Sequence, residues 1–266
     1  MQLTGATALL TGATGGLGRA IAEALADRGA SLVLSGRSAE ALEQLAAELP
    51  GSGHITIPAD LAQPGAASKL VADAGQVDVL VANAGLPGTG LLTDFSEEEV
   101  ERALRVNLES PIRMARALMD PMAERGQGHM VFIASLAGKA ASPRGSIYNA
   151  TKFGLRGFAL GLRTDLASQG IGVSIVAPGF VREAGMFADS GAKPPPGFGT
   201  TTPERVSAGV VRAIEANKME VVVAPMRQRF AAHLALATPG FSARAQSGGM
   251  AKRTAEDLAA RQSDKR

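Results

Sequence analysis

The chain has 266 residues, enough for one α/β domain with a large buried core; 45% are hydrophobic and only 4% aromatic. It holds no cysteine, which excludes disulfides, thiol nucleophiles and thiolate metal sites, and His54, His129 and His233 are scattered without ligand spacing, so no metal site is expected. The net charge of +2 divides unevenly, with 19 basic and 22 acidic residues over 1–224 but 8 basic and 3 acidic over 225–266.

A first strand is predicted over residues 6–11. It runs into Thr11-Gly12-Ala13-Thr14-Gly15-Gly16-Leu17-Gly18, and a helical pattern then covers 16–28. Glycine lets the backbone turn sharply and approach a pyrophosphate, and the helix that follows offers free N–H groups and a positive dipole end. A second strand over 31–35 ends in Ser35-Gly36-Arg37-Ser38, with a helix over 39–49. The third strand, 54–58, leads to Asp60-Leu61, and the fourth, 77–82, to Asn83-Ala84-Gly85. One long helix is predicted over 97–125, and Asn107 lies in it.

The fifth strand, 129–134, ends at Ser135. A helix over 147–168 carries Tyr148, the one tyrosine of the chain, and Lys152. At i and i+4 these two share a helix face. An ammonium beside a phenol favours the phenolate, so it lowers a pKa of about 10 and fits the tyrosine for general acid or base work. The sixth strand, 172–177, ends at Pro178-Gly179, and 220–224 is the seventh. Alternation of strand and helix at this spacing implies βαβ units and one parallel, doubly wound sheet with helices on both faces, spanning residues 1–224 without internal repeats. Such sheets bind ligands at the carboxyl ends of their strands.

Thr11-Gly12-x-x-x-Gly16-x-Gly18, Asn83-Ala84-Gly85, Asn107, Ser135, Tyr148, Lys152 and Pro178-Gly179 stand in the order found in the short-chain dehydrogenases/reductases. The chain resembles that family over residues 5–183, and more weakly to 224. The resemblance implies a Rossmann-type sheet of about seven strands and an oxidoreductase that interconverts a ketone or aldehyde and an alcohol by hydride transfer. It implies that Ser135 positions the substrate oxygen and that Tyr148 exchanges a proton with it. Lys152 would lower the tyrosine pKa and bond the nicotinamide ribose, and Asn107 would hold a water that relays protons. The implied cofactor contacts are Gly12, Thr14, Gly16, Leu17, Gly18, Asp60, Leu61, Asn83, Ala84, Gly85, Tyr148, Lys152, Pro178, Gly179 and Val181.

Cofactor choice turns on Gly36-Arg37-Ser38. An acidic residue in place of Gly36 would bond the ribose 2′-hydroxyl of NAD, whereas the Arg37 guanidinium can clasp a 2′-phosphate and Ser38 can add a hydroxyl. NADP(H) is therefore expected over NAD(H). The alternative is an arginine standing in solvent at a helix start, and Gly15 occupies the loop position where many NADP-dependent relatives are basic.

Two regions depart from the family pattern. Glu183 stands where the family commonly has a threonine that meets the nicotinamide carboxamide. The stretch 184–202, with four glycines and Pro194 to Pro196, suits either a substrate lid or a plain connecting loop. Phe180, Met186, Phe187 and Phe198 around it point to an apolar ketone or secondary alcohol, such as a fatty-acyl, steroid-like or terpenoid compound. Residues 225–266 form a basic C-terminal extension with helices predicted over 226–237 and 251–262, broken at Pro239-Gly240. The apolar Phe230, Leu234 and Ala237 fall near one face. A dimer contact, a cap over the substrate pocket and a peripheral membrane contact are the three readings, in that order.

Expected partners are a small carbonyl or alcohol substrate and further copies of the chain in a homodimer or homotetramer, with no nucleic acid. No run approaches the ~20 apolar residues needed to cross a bilayer, and no signal-peptide pattern opens the chain, so the expected location is cytoplasmic. Epimerisation or dehydration on the same site, and a non-enzymatic dinucleotide sensor, are the rival readings. The Asn149-Ala150-Thr151 sequon is discounted inside a helix.

Overall fold

Runs of Val, Ile and Leu bounded by glycine and polar turns form the seven strands of a computed structural model that describes residues 1–246, 255–256 and 259–262. They are β1 (Thr7–Thr11), β2 (Ser31–Gly36), β3 (Ile55–Pro58), β4 (Val79–Ala82), β5 (Gly128–Ile133), β6 (Ile171–Pro178) and β7 (Glu220–Val223). All neighbours pair in parallel, in the order β3-β2-β1-β4-β5-β6-β7. The strand order reverses between β1 and β4, which opens a crevice at their carboxyl ends.

Side chains alternate across the sheet with the two-residue period of a strand. Ala8, Leu10, Val79, Val81, Val131 and Ile133 face one layer, built from α1 (Gly16–Ala26), α2 (Ala39–Glu48) and α8 (Pro203–Glu215). Leu9, Leu80, Ala82, Met130 and Phe132 face the other, built from α3 (Ala66–Ala74), α5 (Ser110–Arg125) and α6 (Ser146–Asp165). A sheet covered on both faces buries its strands entirely, and for this reason they read as unbroken apolar runs.

The structure departs from the pattern reading in several places. The helix expected over 97–125 is α4 (Glu97–Leu104) and α5 joined by a π turn, Arg105–Glu109, and Asn107 lies in that turn. The helices α3 and α8 were not picked out. The first is short and bounded by Gly65 and Gly75, whereas α8 carried a readable start, with Thr202 capping Arg205 N–H at 3.3 Å and Pro203 at the first helical position. In α9 (Met226–Ala237) the buried residues are Gln228, Ala232 and Ala235, while Phe230, Leu234 and Ala237 are exposed. The chain then re-enters a helix, α10 (Pro239–Gln246), directly after the expected break. Of the helix expected over 251–262, residues 255–256 and 259–262 are helical and the rest lie outside the described residues.

His129 is buried and hydrogen-bonds Ser174 Oγ at 2.8 Å; burial, with help from the N-terminal ammonium and Arg163, lowers its pKa to about 3, so it is a neutral core residue. Asn149 and Thr151 are buried in α6, which removes the sequon reading. Among the described residues no helix is long and apolar enough to cross a membrane, and no group of His, Asp and Glu is placed to hold a metal.

Candidate active site

The turn after β1 is fastened from two sides. Gly12 has φ 64° in the left-handed region, and a Cβ there would stand 2.9 Å from Ala84 Cα. Thr11 Oγ1 accepts from the N–H groups of Asn83 and Ala84, each at 3.1 Å. Asn83 returns its amide Nδ2 to the carbonyls of Thr11 (3.0 Å) and Gly12 (3.2 Å). The loops after β1 and β4 therefore form one rigid lip of the crevice. Thr11, 1% exposed, was absent from the expected site residues. Its signal was a hydroxyl closing an otherwise apolar strand.

Gly18 lies in the first turn of α1. A Cβ there would overlap the Gly12 carbonyl oxygen and stand 2.8 Å from Ala13 Cα, so only glycine allows the helix to sit this close to the turn. No side chain caps α1, which leaves its first amides for an anion. A glycine cradle that a Cβ would fill, beside an uncapped helix start, fits a dinucleotide pyrophosphate.

At the end of β2, Gly36 gives room for Thr14, whose Oγ1 would stand 3.3 Å from a Cβ at that position. Arg37 is exposed and, among the described residues, has no hydrogen-bond or ion-pair partner. Ser38 caps α2, accepting from Ala41 N–H at 3.3 Å. Asp60 turns its carboxylate onto the Ala62 N–H at 3.0 Å, while Leu61 is buried and its carbonyl accepts from Ser110 Oγ.

The chemistry-bearing side chains converge at the carboxyl ends of β4 and β5. Ser135 follows β5 and caps a short 3-10 turn, Leu136–Gly138, accepting from Ala137 N–H at 3.1 Å. The first turn of α6 carries Tyr148, whose phenol is close enough to the Ser135 side chain for that hydroxyl to oppose the effect of burial on it. Lys152 follows one turn on, with Nζ 5.6 Å from the Tyr148 ring centroid. The lysine is 3% exposed and donates to the Ile133 carbonyl at 3.0 Å. Burial lowers its pKa to about 8.

The phenol does not behave as the sequence led us to expect. Burial raises the Tyr148 pKa above its usual value, and the opposing pull comes from Ser135 rather than Lys152, whose ammonium is turned to Ile133. Asn107 also differs in detail. Its amide is engaged on two sides, donating to Leu86 O at 2.9 Å and to Thr151 Oγ1 at 3.5 Å and accepting from Leu86 N–H at 2.7 Å.

Pro178 ends β6 and Gly179 N–H bonds Val223 O at 3.0 Å. Gln228, buried on α9, occupies the space where a Gly179 Cβ would be. Its amide accepts from Phe180 N–H (3.2 Å) and donates to the carbonyls of Phe198 (3.1 Å) and Gly199 (2.8 Å), so it pins both stems of the 184–202 stretch. Nothing local in the sequence signalled this glutamine. Val181 is buried between those stems and bridges Thr201.

Glu183, at φ 74°, turns out to Arg182 at 2.6 Å. The next residues fold inward, with Ala184 against Gly16 and Gly185 against Leu17. The short helix α7 (Met186–Asp189) then brings the Met186 methyl to 3.2 Å from where a Gly85 Cβ would stand, a point also 3.4 Å from Asn107 Oδ1 and 3.8 Å from Lys152 Nζ.

A model of the family described as short chain dehydrogenase matches residues 6–194. The chain is 39% identical over 227 residues to a Nostoc sp. protein named ketoacyl reductase HetN, covering 83% of this chain and 79% of that one. It is 37% identical over 186 residues to the Escherichia coli 3-oxoacyl-(acyl-carrier-protein) reductase FabG, covering 68% and 75%. A solved short-chain dehydrogenase from Sphingobium yanoikuyae in complex with NADPH aligns with a TM-score of 0.76 at 26% identity, covering 91% of this chain and 94% of that chain.

Proposed function

The chain belongs to the short-chain dehydrogenase family, and from that premise we propose that this oxidoreductase is an NADP(H)-dependent carbonyl reductase acting on a ketone with an apolar chain. The observation that carries the reading is the meeting of Ser135, Tyr148 and Lys152 beside the glycine cradle. A bound nicotinamide supplies the hydride in reduction and accepts it in oxidation.

The chain's own residues handle the oxygen and the proton. Ser135 donates a hydrogen bond to the substrate carbonyl, and Tyr148 gives it a proton as negative charge develops there. A phenol raised by burial stays protonated at neutral pH, as reduction requires. Lys152, with a pKa of about 8, is poised to pass a proton toward the spent phenolate. Asn107, its side chain held by Leu86 and Thr151, is the residue we expect to anchor a relay water.

Two features support NADP(H) over NAD(H). Gly36 puts no carboxylate at the end of β2, and Arg37 beside it has no partner among the described residues. The Sphingobium yanoikuyae relative is described with NADPH. Arg37→Asp is expected to weaken NADPH binding about 10²-fold and to leave NADH the better ligand, since it replaces a charge-assisted phosphate clasp with repulsion. Titration of both cofactors by their own fluorescence checks this, in a chain with no tryptophan to interfere. An unchanged NADPH preference would show that another group reads the phosphate.

For the substrate, Phe180 and Phe187 meet at 4.6 Å with tilted rings in the 180–187 segment and Met186 reaches the site, which suits a fatty-acyl rather than a polar ketone. The names of the Nostoc and Escherichia coli relatives point the same way. We read 184–202 as the lid and the C-terminal extension as its brace. Gln228 pins the stems, Gln262 donates to Met186 O at 2.9 Å, and Glu256 pairs with Arg144 at 3.3 Å just before α6. The outward Phe230 and Leu234 of α9 supply a surface for the expected homodimer or homotetramer.

A further inference from the structure

Lys139 is 3% exposed although it carries an ammonium, and the reaction as read above gives it no part. Its Nζ lies 2.8 Å from Glu220 Oε2. Arg156 meets the same carboxylate through Nε at 2.9 Å and Nη2 at 3.4 Å. The three groups come from three elements. Lys139 closes the turn that Ser135 opens, Arg156 stands one helical turn beyond Lys152 on α6, and Glu220 opens β7. Burial raises the Glu220 carboxyl, but the hydrogen bonds from Arg156 and Lys139 outweigh it and leave the carboxyl below its ordinary range.

An ion cluster with Lys139 buried and Glu220 and Arg156 partly buried is a poor device for stability alone. Its desolvation cost roughly cancels its attraction, and apolar side chains of the same volume would hold the elements together as well. What it adds is a fixed distance and direction, because the carboxylate accepts from an arginine fork and an ammonium at once. The backbones here leave little tolerance. A Cβ on Gly138 would stand 2.6 Å from the Lys152 carbonyl oxygen, so the Ser135 turn rests directly on the α6 backbone. Contact between two smooth backbones resists separation but not sliding. The Glu220 cluster spans this contact and opposes the sliding.

We propose that Glu220, with Lys139 and Arg156, forms a positioning cluster that keeps the Ser135 turn in register with the Tyr148–Lys152 helix. The inference rests on the reading of Ser135, Tyr148 and Lys152 as the proton-transfer group. Glu220 is a positioning residue and touches neither substrate nor cofactor. A displacement of about 1 Å between such groups costs about 10²-fold in rate.

The test uses Glu220→Gln in the full chain. The expected result is a kcat for NADPH-dependent ketone reduction reduced about tenfold or more, with KM and the NADPH Kd within about threefold. Amide exchange at 136–139 and 146–152 should quicken well below the melting temperature, and Glu220→Asp should recover part of kcat. A kcat within about twofold of wild type, with only a lower Tm, would overturn the proposal. If Glu220→Gln does not fold, Lys139→Met keeps the Glu220–Arg156 pair and must show the same kcat loss with NADPH affinity retained. An unchanged kcat there rejects the cluster. Exchange separates this inference from the reading beneath it. Unaltered exchange in Glu220→Gln rejects the cluster whatever the turnover, whereas quickened exchange in a protein whose wild type consumes no NADPH rejects the catalytic reading.

Discussion

Replacing Tyr148 with phenylalanine is expected to lower turnover about 10³-fold or more while NADPH affinity stays within a few-fold. The change removes one hydroxyl, the group that faces Ser135, and leaves the ring beside Lys152. Without that hydroxyl the developing alkoxide has only the Ser135 donor, and protonation must come from bulk water. The glycine cradle, Asn83 and Arg37 are untouched, so binding persists. The pH profile of the wild type carries the same signature. A phenol raised by burial remains an acid through neutral pH, so the rate of reduction should hold there and fall above it, first as Lys152 loses its proton at about pH 8 and then as the phenol deprotonates. Steady-state rates with a separate NADPH titration check both points, and near-normal turnover in Tyr148→Phe would remove the tyrosine from the mechanism.

A single methyl group at Gly18 should be almost as damaging by a different route. In Gly18→Ala the new Cβ overlaps the Gly12 carbonyl oxygen and lies 2.8 Å from both Ala13 Cα and Ala13 O. Both neighbours are backbone, so no side chain can swing aside and α1 must move away from β1. Overpacking of this kind costs about 1–3 kcal/mol, which is a fall in Tm of about 2–4 °C per kcal/mol for a chain of this size. The displacement also spoils the pyrophosphate cradle, so NADPH affinity should drop by about tenfold or more. Gly157→Ala is the control. A Cβ at Gly157 meets nothing within 4 Å, and removing a glycine from a helix interior should be neutral or stabilising by up to about 1 kcal/mol. Equal effects of the two substitutions on Tm and NADPH binding would contradict the packing argument.

The features legible in the sequence are those whose physics is local. The seven strands announced themselves as short apolar runs because both faces of the sheet are covered, and the glycine turn because its backbone allows no Cβ at Gly12 and Gly18. Tyr148 and Lys152 could be paired because a helix brings i and i+4 together. Ser135 was placed only by resemblance, since nothing short-range links it to Tyr148. What stayed hidden depends on contacts between distant segments. Thr11 matters because Asn83 and Ala84 come to it from β4, Gln228 because the stems at Phe180 and Gly199 close around it, and Lys139 because β7 delivers Glu220. The direction of the Tyr148 shift was misjudged for the same reason. Sequence shows a lysine one turn away, but only the fold shows that its ammonium is drawn to Ile133 and that burial outweighs it. In α9 the apolar face of Phe230 and Leu234 could be read from spacing, but the inward side could not, because the side chain that binds it to the body is a glutamine.

Direct hydride transfer to a carbonyl at the Ser135–Tyr148–Lys152 site is best checked by following deuterium from 4,4-dideuterated NADPH during reduction of 3-oxoacyl thioesters of increasing chain length. The expected result is deuterium at the carbinol carbon of the product, one atom for each NADPH consumed, with longer apolar chains turned over better and labelled product formed about 10³-fold more slowly with Tyr148→Phe. A product formed without label while NADPH is returned unchanged would contradict it and favour epimerisation or dehydration, and NADPH binding with no product from any ketone would favour a dinucleotide sensor.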